Sequence, residues 1–136
     1  MSSDHLQNAR KKQHLLRARV TGLVRGHATG LLVYGPGGVG KSHVVDDELT
    51  SLNVSFQRIN SHSTPLALYR TLQRHRDEIV IFEDCESLLR IVTSLGILRA
   101  ATFPSGKDRS GAPIRNVDYH HGNHAESFIF NGRIIL

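Results

Sequence analysis

The chain has 136 residues, one domain's length by the usual range of roughly 100 to 200 residues per domain. Hydrophobic residues make up 39% and charged residues 21%, with no Trp; this excludes disorder throughout and indicates a soluble globular domain, slightly polar. No apolar run approaches the ~20 residues of a membrane helix, Met1 to Lys12 lacks the pattern of a signal peptide, and the single cysteine, Cys85, offers neither an internal disulfide nor a thiolate cluster. A cytoplasmic protein that does not touch a membrane is expected.

Seventeen Lys and Arg against twelve Asp and Glu give a net charge of +5. The whole excess lies in residues 1–30, where Arg10, Lys11, Lys12, Arg17, Arg19 and Arg25 accompany one acid, Asp4. Ser3 and Asp4 suit a helix cap, and Leu6, Leu15, Leu16, Val20, Leu23 and Val24 recur at roughly helical spacing, so a basic helix is expected to about Arg25. Charges between apolar positions are the ordinary solvated face of a helix. The same segregation is an electrostatic footprint for nucleic acid or another polyanion.

Beyond Gly26 and Gly30, Leu31-Leu32-Val33-Tyr34 is an uninterrupted apolar run, the pattern of a strand buried on both faces. A helix follows from about Lys41 through Val44, Val45 and Leu49, and Val54 to Ile59 alternates as a second strand. Pro65 suits the first turn of the next helix, where its missing N–H costs nothing. Ile79-Val80-Ile81-Phe82 is a third buried strand, and Ser87 to Ala101 is a further helix. Strands alternating with helices predict an α/β domain of three layers, with a largely parallel sheet flanked by helices. The N-terminal helix, 1–30, precedes this core at 31–136.

Phe103 to Asn123 is rich in Gly and Pro and reads as a loop or a loop-borne hairpin. The last segment reads in two ways. Ser127 to Phe130 and Arg133 to Leu136 could form a hairpin around Asn131-Gly132, or Arg133-Ile134-Ile135-Leu136 could begin another central strand.

The segment GPGGVGKS at 35–42 satisfies Gly-x-x-x-x-Gly-Lys-[Ser/Thr] between a strand and a helix, the context in which that motif binds phosphate. Gly35, Gly37, Gly38 and Gly40, with Pro36 and Val39 between them, allow a tight loop whose N–H groups and following helix start cradle an anion. Lys41 would reach the β- and γ-phosphates and Ser42 would ligate Mg²⁺. His43 belongs with the same stretch as a first-turn contact, not as an acid or base. IVIFED at 79–84 supplies an acidic pair at the end of an apolar strand, as phosphoryl transfer requires. Glu83 is assigned to the metal side and Asp84 to the attacking water, with the reverse assignment open, because successive strand residues face opposite ways.

At these motifs the chain resembles the AAA-type ATPases of the P-loop NTPase superfamily. GPGGVGKS is similar to that family's phosphate loop, IVIFEDCESLL to its acidic strand and following helix, and FIFNGRIIL at 128–136 to the run into its next strand. The resemblance implies an ATP and Mg²⁺ site, an ATP-driven conformational cycle, and a homo-oligomeric assembly in the full-length protein. It also implies that the sheet is incomplete, because the chain stops before the family's sensor residue, fifth strand, arginine finger and lid. The order Glu83-Asp84 departs from the family's usual Asp-Glu and points to slow hydrolysis. Alternatives are a nucleotide-binding module without turnover that contacts nucleic acid or a partner, and a small P-loop kinase, with Arg109 and Arg115 as its candidate lid cations.

Other constellations are weaker. His120, His121 and His124 with Asp118 could ligate metal, but their spacing matches no established motif and a solvated loop is the simpler account. Arg58, Arg70, Arg74, Arg76, Arg90 and Arg99 are candidates for subunit contacts or plain surface charge. Cys85 reads as a small buried hydrophobe.

Overall fold

The computed structural model describes residues 3–33, 41–60, 64–83 and 86–136, with Lys41 and Asn60 described by their backbone alone. In chain order the elements are α1 (Ser3–Val24), β1 (Gly30–Leu31), α2 (Lys41–Ser51), β2 (Phe56–Asn60), α3 (Pro65–Arg74), β3 (Ile79–Glu83), α4 (Glu86–Arg90), α5 (Val92–Thr102), β4 (Gly106–Lys107), β5 (Pro113–Ile114), β6 (Asn116–His121), β7 (His124–Ile129) and β8 (Arg133–Ile135).

Four of the strands form one sheet in the order β1-β8-β3-β2, and every pairing in it is parallel. Parallel strands leave all their carboxyl ends at one edge and bury both faces under crossover helices. The chain passes from β1 across to β2 and then back to β3 and β8. Crossovers of one hand therefore put α2 on one face and α3 and α5 on the other.

Period-two alternation in the central strands sorts the core accordingly. Val80, Phe82 and Ile134 join Leu68, Tyr69, Leu72, Leu88, Ile97, Leu98 and Ala101 from the α3–α5 side, with Val117 of β6, Phe128 of β7 and Phe130 just after it. Ile79, Ile81 and Ile135 join Val20, Leu23, Val45 and Leu49 from α1 and α2 on the opposite side.

The expected helix start at Pro65 is observed. Thr64 caps α3, its Oγ1 accepting from the Ala67 N–H at 3.2 Å, and Pro65 occupies the first turn. The expected helix over 87–101 is instead two helices, because Ile91 is extended (φ −99°, ψ 119°) and ends α4 before α5 begins. Ile91, Val92 and Thr93 are consecutive β-branched residues, which lose side-chain freedom in a helix and favour a break there.

The first strand also departs from expectation. β1 lies at the sheet margin, so Leu32 is 55% exposed while Leu31 and Val33 pack against the α1–α2 cluster. Pairing continues past its two strand residues through Val33 N–H to the Leu136 carbonyl at 2.8 Å.

Residues 103–123 are not a plain loop. They hold the short β4–β5 pair and the first strand of an antiparallel hairpin, β6–β7, whose turn is Gly122-Asn123, with Gly122 at φ +58°. Of the two expectations for 127–136, the central strand is the one observed: β8 lies between β1 and β3. Asn131-Gly132 is therefore no hairpin turn. Both N–H groups donate to the Arg76 carbonyl at 2.8 Å, and a Cβ on Gly132 would meet the Glu78 backbone and, at 2.9 Å, the Phe130 ring. Gly stands there because the chain passes close against its neighbour.

Candidate functional site at the carboxyl edge of the sheet

Parallel pairing brings the segment after β1 and the end of β3 to the same sheet edge, with β8 between them. Here the chain leaves β1 for one face and β3 for the other, the kind of switch point where open α/β sheets hold ligands. The segment after β1 is GPGGVGKS, and β3 ends in Glu83.

Of the residues expected at the site, Gly35, Pro36, Gly37, Gly38, Val39, Gly40 and Asp84 lie outside the described residues, as do Cys85 and the side chain of Lys41. The backbone of Lys41 begins α2, and Ser42 and His43 are both exposed in its first turn.

Glu83 continues the alternation of Ile79 and Ile81, which pack against α1 and α2. It therefore stands on the face of the helix that follows GPGGVGKS. Arg58 of β2, registered opposite Ile81, shares that face. Its Nη1 donates to Glu83 Oε1 at 2.5 Å, and its Nη2 pairs with Asp46 Oδ1 of α2. Asp46 is four residues after Ser42, and residues four apart lie on one side of a helix. The guanidinium thus ties the end of β3 to the side of α2 that carries Ser42.

Arg58 and Asp46 were not legible as site residues. Arg58, by sequence a candidate for a subunit contact, is ion-paired within its own chain, 25% exposed, between two acids distant in sequence. The one available cue was its position in an alternating strand, two residues after the inward-packed Phe56. Arg70 likewise pairs internally, with Glu126 at 2.8 Å, and its guanidinium lies 5.7 Å from the Tyr69 ring centre. Arg90 makes an exposed pair with Glu86 at 3.6 Å. Arg74, Arg76, Arg99 and Arg109 are exposed. Arg115 donates to the Ala101 carbonyl at 2.7 Å and covers Phe130.

The histidines sit at the exposed end of the hairpin. Rings of Tyr69, Tyr119, His121 and His124 follow one another at 5.3 to 5.7 Å from the core outward. Among the described residues no group of three or more His, Cys, Asp or Glu is placed to hold a metal ion. Nor is any helix there long and apolar enough to cross a membrane. A groove of about 430 Å³ between α1 and β1 is lined by Leu15, Ala18, Gly22, His27 and Leu31, and none of the described residues expected at the site lines it.

No family model, no curated protein and no solved structure matches this chain.

Proposed function

We propose that the chain is a P-loop nucleotide-binding domain of AAA type, a three-layer α/β core that binds ATP with Mg²⁺ at the carboxyl edge of its sheet and hydrolyses it. The observation that carries this reading is the meeting of two local motifs through long-range topology. GPGGVGKS joins β1 to α2, and the acidic end of β3 reaches the same edge on the face of α2.

In this reading the N–H groups of residues 35–42 and the first turn of α2 hold the phosphates, and Lys41 neutralises charge developing on the transferred group. A serine hydroxyl and a carboxylate are hard oxygen donors suited to Mg²⁺, so Ser42 and Glu83 form the metal side. Asp84 is left to orient the attacking water. Arg58 then has a defined part: it holds Glu83 and Asp46 until the metal competes for the Glu83 carboxylate.

The test is release of phosphate from Mg-ATP across a range of protein concentrations, for the parent, Glu83→Gln and Asp84→Asn. Hydrolysis lost in both variants is expected, and a rate rising more than linearly with concentration would signal a shared intersubunit site. Undiminished hydrolysis in both variants would overturn the assignment of the acids.

A further inference from the structure

The amino-terminal half of α1 is an arm without a berth. Every described residue from Ser3 to Leu15 is exposed, and the helix buries only Val20 and Leu23. A helix of about a dozen residues with no packed face is marginal by itself in water. Its side chains Arg10, Lys11 and Lys12 make no ion pair among the described residues, whereas Arg17, one and a half turns on, is bound to Asp47 at 2.7 Å and Glu48 at 3.2 Å.

Those anchors also fix where the arm points. α1 and α2 both end at the amino edge of the sheet, where they lead into β1 and β2, so they run the same way. Arg17 stands level with Asp47, and Thr21 donates to Glu48 at 2.9 Å. By this register Lys11 is level with the start of α2, and residues 3–10 project about 12 Å past the carboxyl edge at 1.5 Å per residue.

We propose that this arm is a docking element for duplex DNA, lying in the major groove with Arg10, Lys11, Lys12 and the exposed Arg19 on the flanking phosphates. Charge complementarity is the first ground: within residues 3–15 Arg10, Lys11 and Lys12 stand together against one acid, Asp4, in the segment that holds the chain's whole positive excess. Shape is the second. An α-helix about 10–12 Å across fits the B-form major groove, and exposure on all sides lets both groove walls close on it. The deep, narrow major groove of duplex RNA does not admit it. Gln7, Asn8 and Gln13 add amide donors and acceptors able to meet base edges. A membrane surface is a poorer match, because Leu6 and Ala9 are the arm's only apolar side chains between Ser3 and His14, too few for an interfacial apolar face. The proposal is independent of nucleotide binding.

The test is fluorescence anisotropy of a labelled short DNA duplex titrated with the whole chain at several salt concentrations. Four phosphate contacts predict a slope of log K against log salt near about −3.6, so that affinity falls on the order of a hundredfold between about 50 and about 200 mM salt. The variant Arg10→Gln/Lys11→Gln/Lys12→Gln should bring that slope to about −0.9, with an unchanged melting temperature. The control Arg90→Gln/Arg99→Gln/Arg109→Gln removes equal charge from exposed positions off the arm and should leave the slope unchanged. Equal losses in both triple variants would overturn the proposal, because binding would then follow net charge alone. So would duplex RNA binding as tightly as DNA, or binding to anionic phosphatidylserine vesicles or an acidic peptide without binding to DNA.

Discussion

Among the described residues, the face of the sheet under α3, α4, α5 and the hairpin is held by thirteen buried residues in one cluster, including Tyr69, Phe128 and Phe130, with Tyr69 and Phe128 rings edge to face at 5.1 Å. The opposite face, under α1 and α2, has a cluster of seven among the described residues and is laced with polar links: Arg17 to Asp47 and Glu48, Thr21 to Glu48, and Arg58 to Asp46 and Glu83. The first face carries the apolar area that stabilises the domain. On the second, apolar packing is interleaved with charged groups, Glu83 at the motif-bearing edge among them, and partly exposed ion pairs add little stability and exchange readily for other ligands.

That contrast breaks first if the large cluster tolerates truncation. Phe130 is fully buried under Arg115, and Phe130→Ala is expected to cost about 3–5 kcal/mol. Urea unfolding measures it, and a loss below about 1 kcal/mol would contradict the assignment of stability to this face. Gly132→Ala should follow at about 1–3 kcal/mol, since the added methyl meets the Glu78 backbone and the Phe130 ring. A stability equal to the parent's would show that β8 has room to shift.

The polar face is sharpened by Arg58→Met. With Arg58 25% and Glu83 43% exposed, removal of the pair should change stability by less than about 1 kcal/mol. The same variant should lower the Mg²⁺ concentration needed for ATP-dependent stabilisation, since the metal no longer displaces a guanidinium. An unchanged or raised Mg²⁺ requirement would argue that Arg58 does not compete for Glu83.

The smallest effect concerns acid. His75, and after it Gln57, hold the Glu78 carboxyl below the usual carboxylate range against the opposing effect of burial, with a smaller contribution from Ser55. A depressed folded-state pKa contributes stability above the unfolded pKa and loses it as pH falls through the folded one. Unfolding followed between neutral and acid pH should therefore show a shallower acid-side decline in Glu78→Gln than in the parent. Parallel profiles would show that Glu78 does not contribute to the acid-side loss of stability.

What was legible in the chain follows from the range of the interactions involved. Strands at 79–82 and 54–59 and the capped helix at Pro65 are written in runs, alternation and turn residues within a few positions. The phosphate motif and the acidic strand end are equally local. Whether a strand lies at the margin or the centre is not, and Leu32 reads like any buried leucine until β8 is seen to take the central place. Asn131-Gly132 has the composition of a turn, but Gly132 answers to close packing against Glu78, a tertiary cause. Arg58 needed both the register of β2 on β3 and the approach of α2 before its two acids could be named.

In the proposed function the edge shared by β1, β8 and β3 binds Mg-ATP through GPGGVGKS. The direct measurement is the melting temperature of the parent chain and of Lys41→Ala with and without excess Mg-ATP. At a hundred times its dissociation constant the ligand should stabilise the parent by about 2.7 kcal/mol, and the shift should vanish in Lys41→Ala. A cooperatively melting parent with no shift, or an equal shift in both proteins, would contradict the claim.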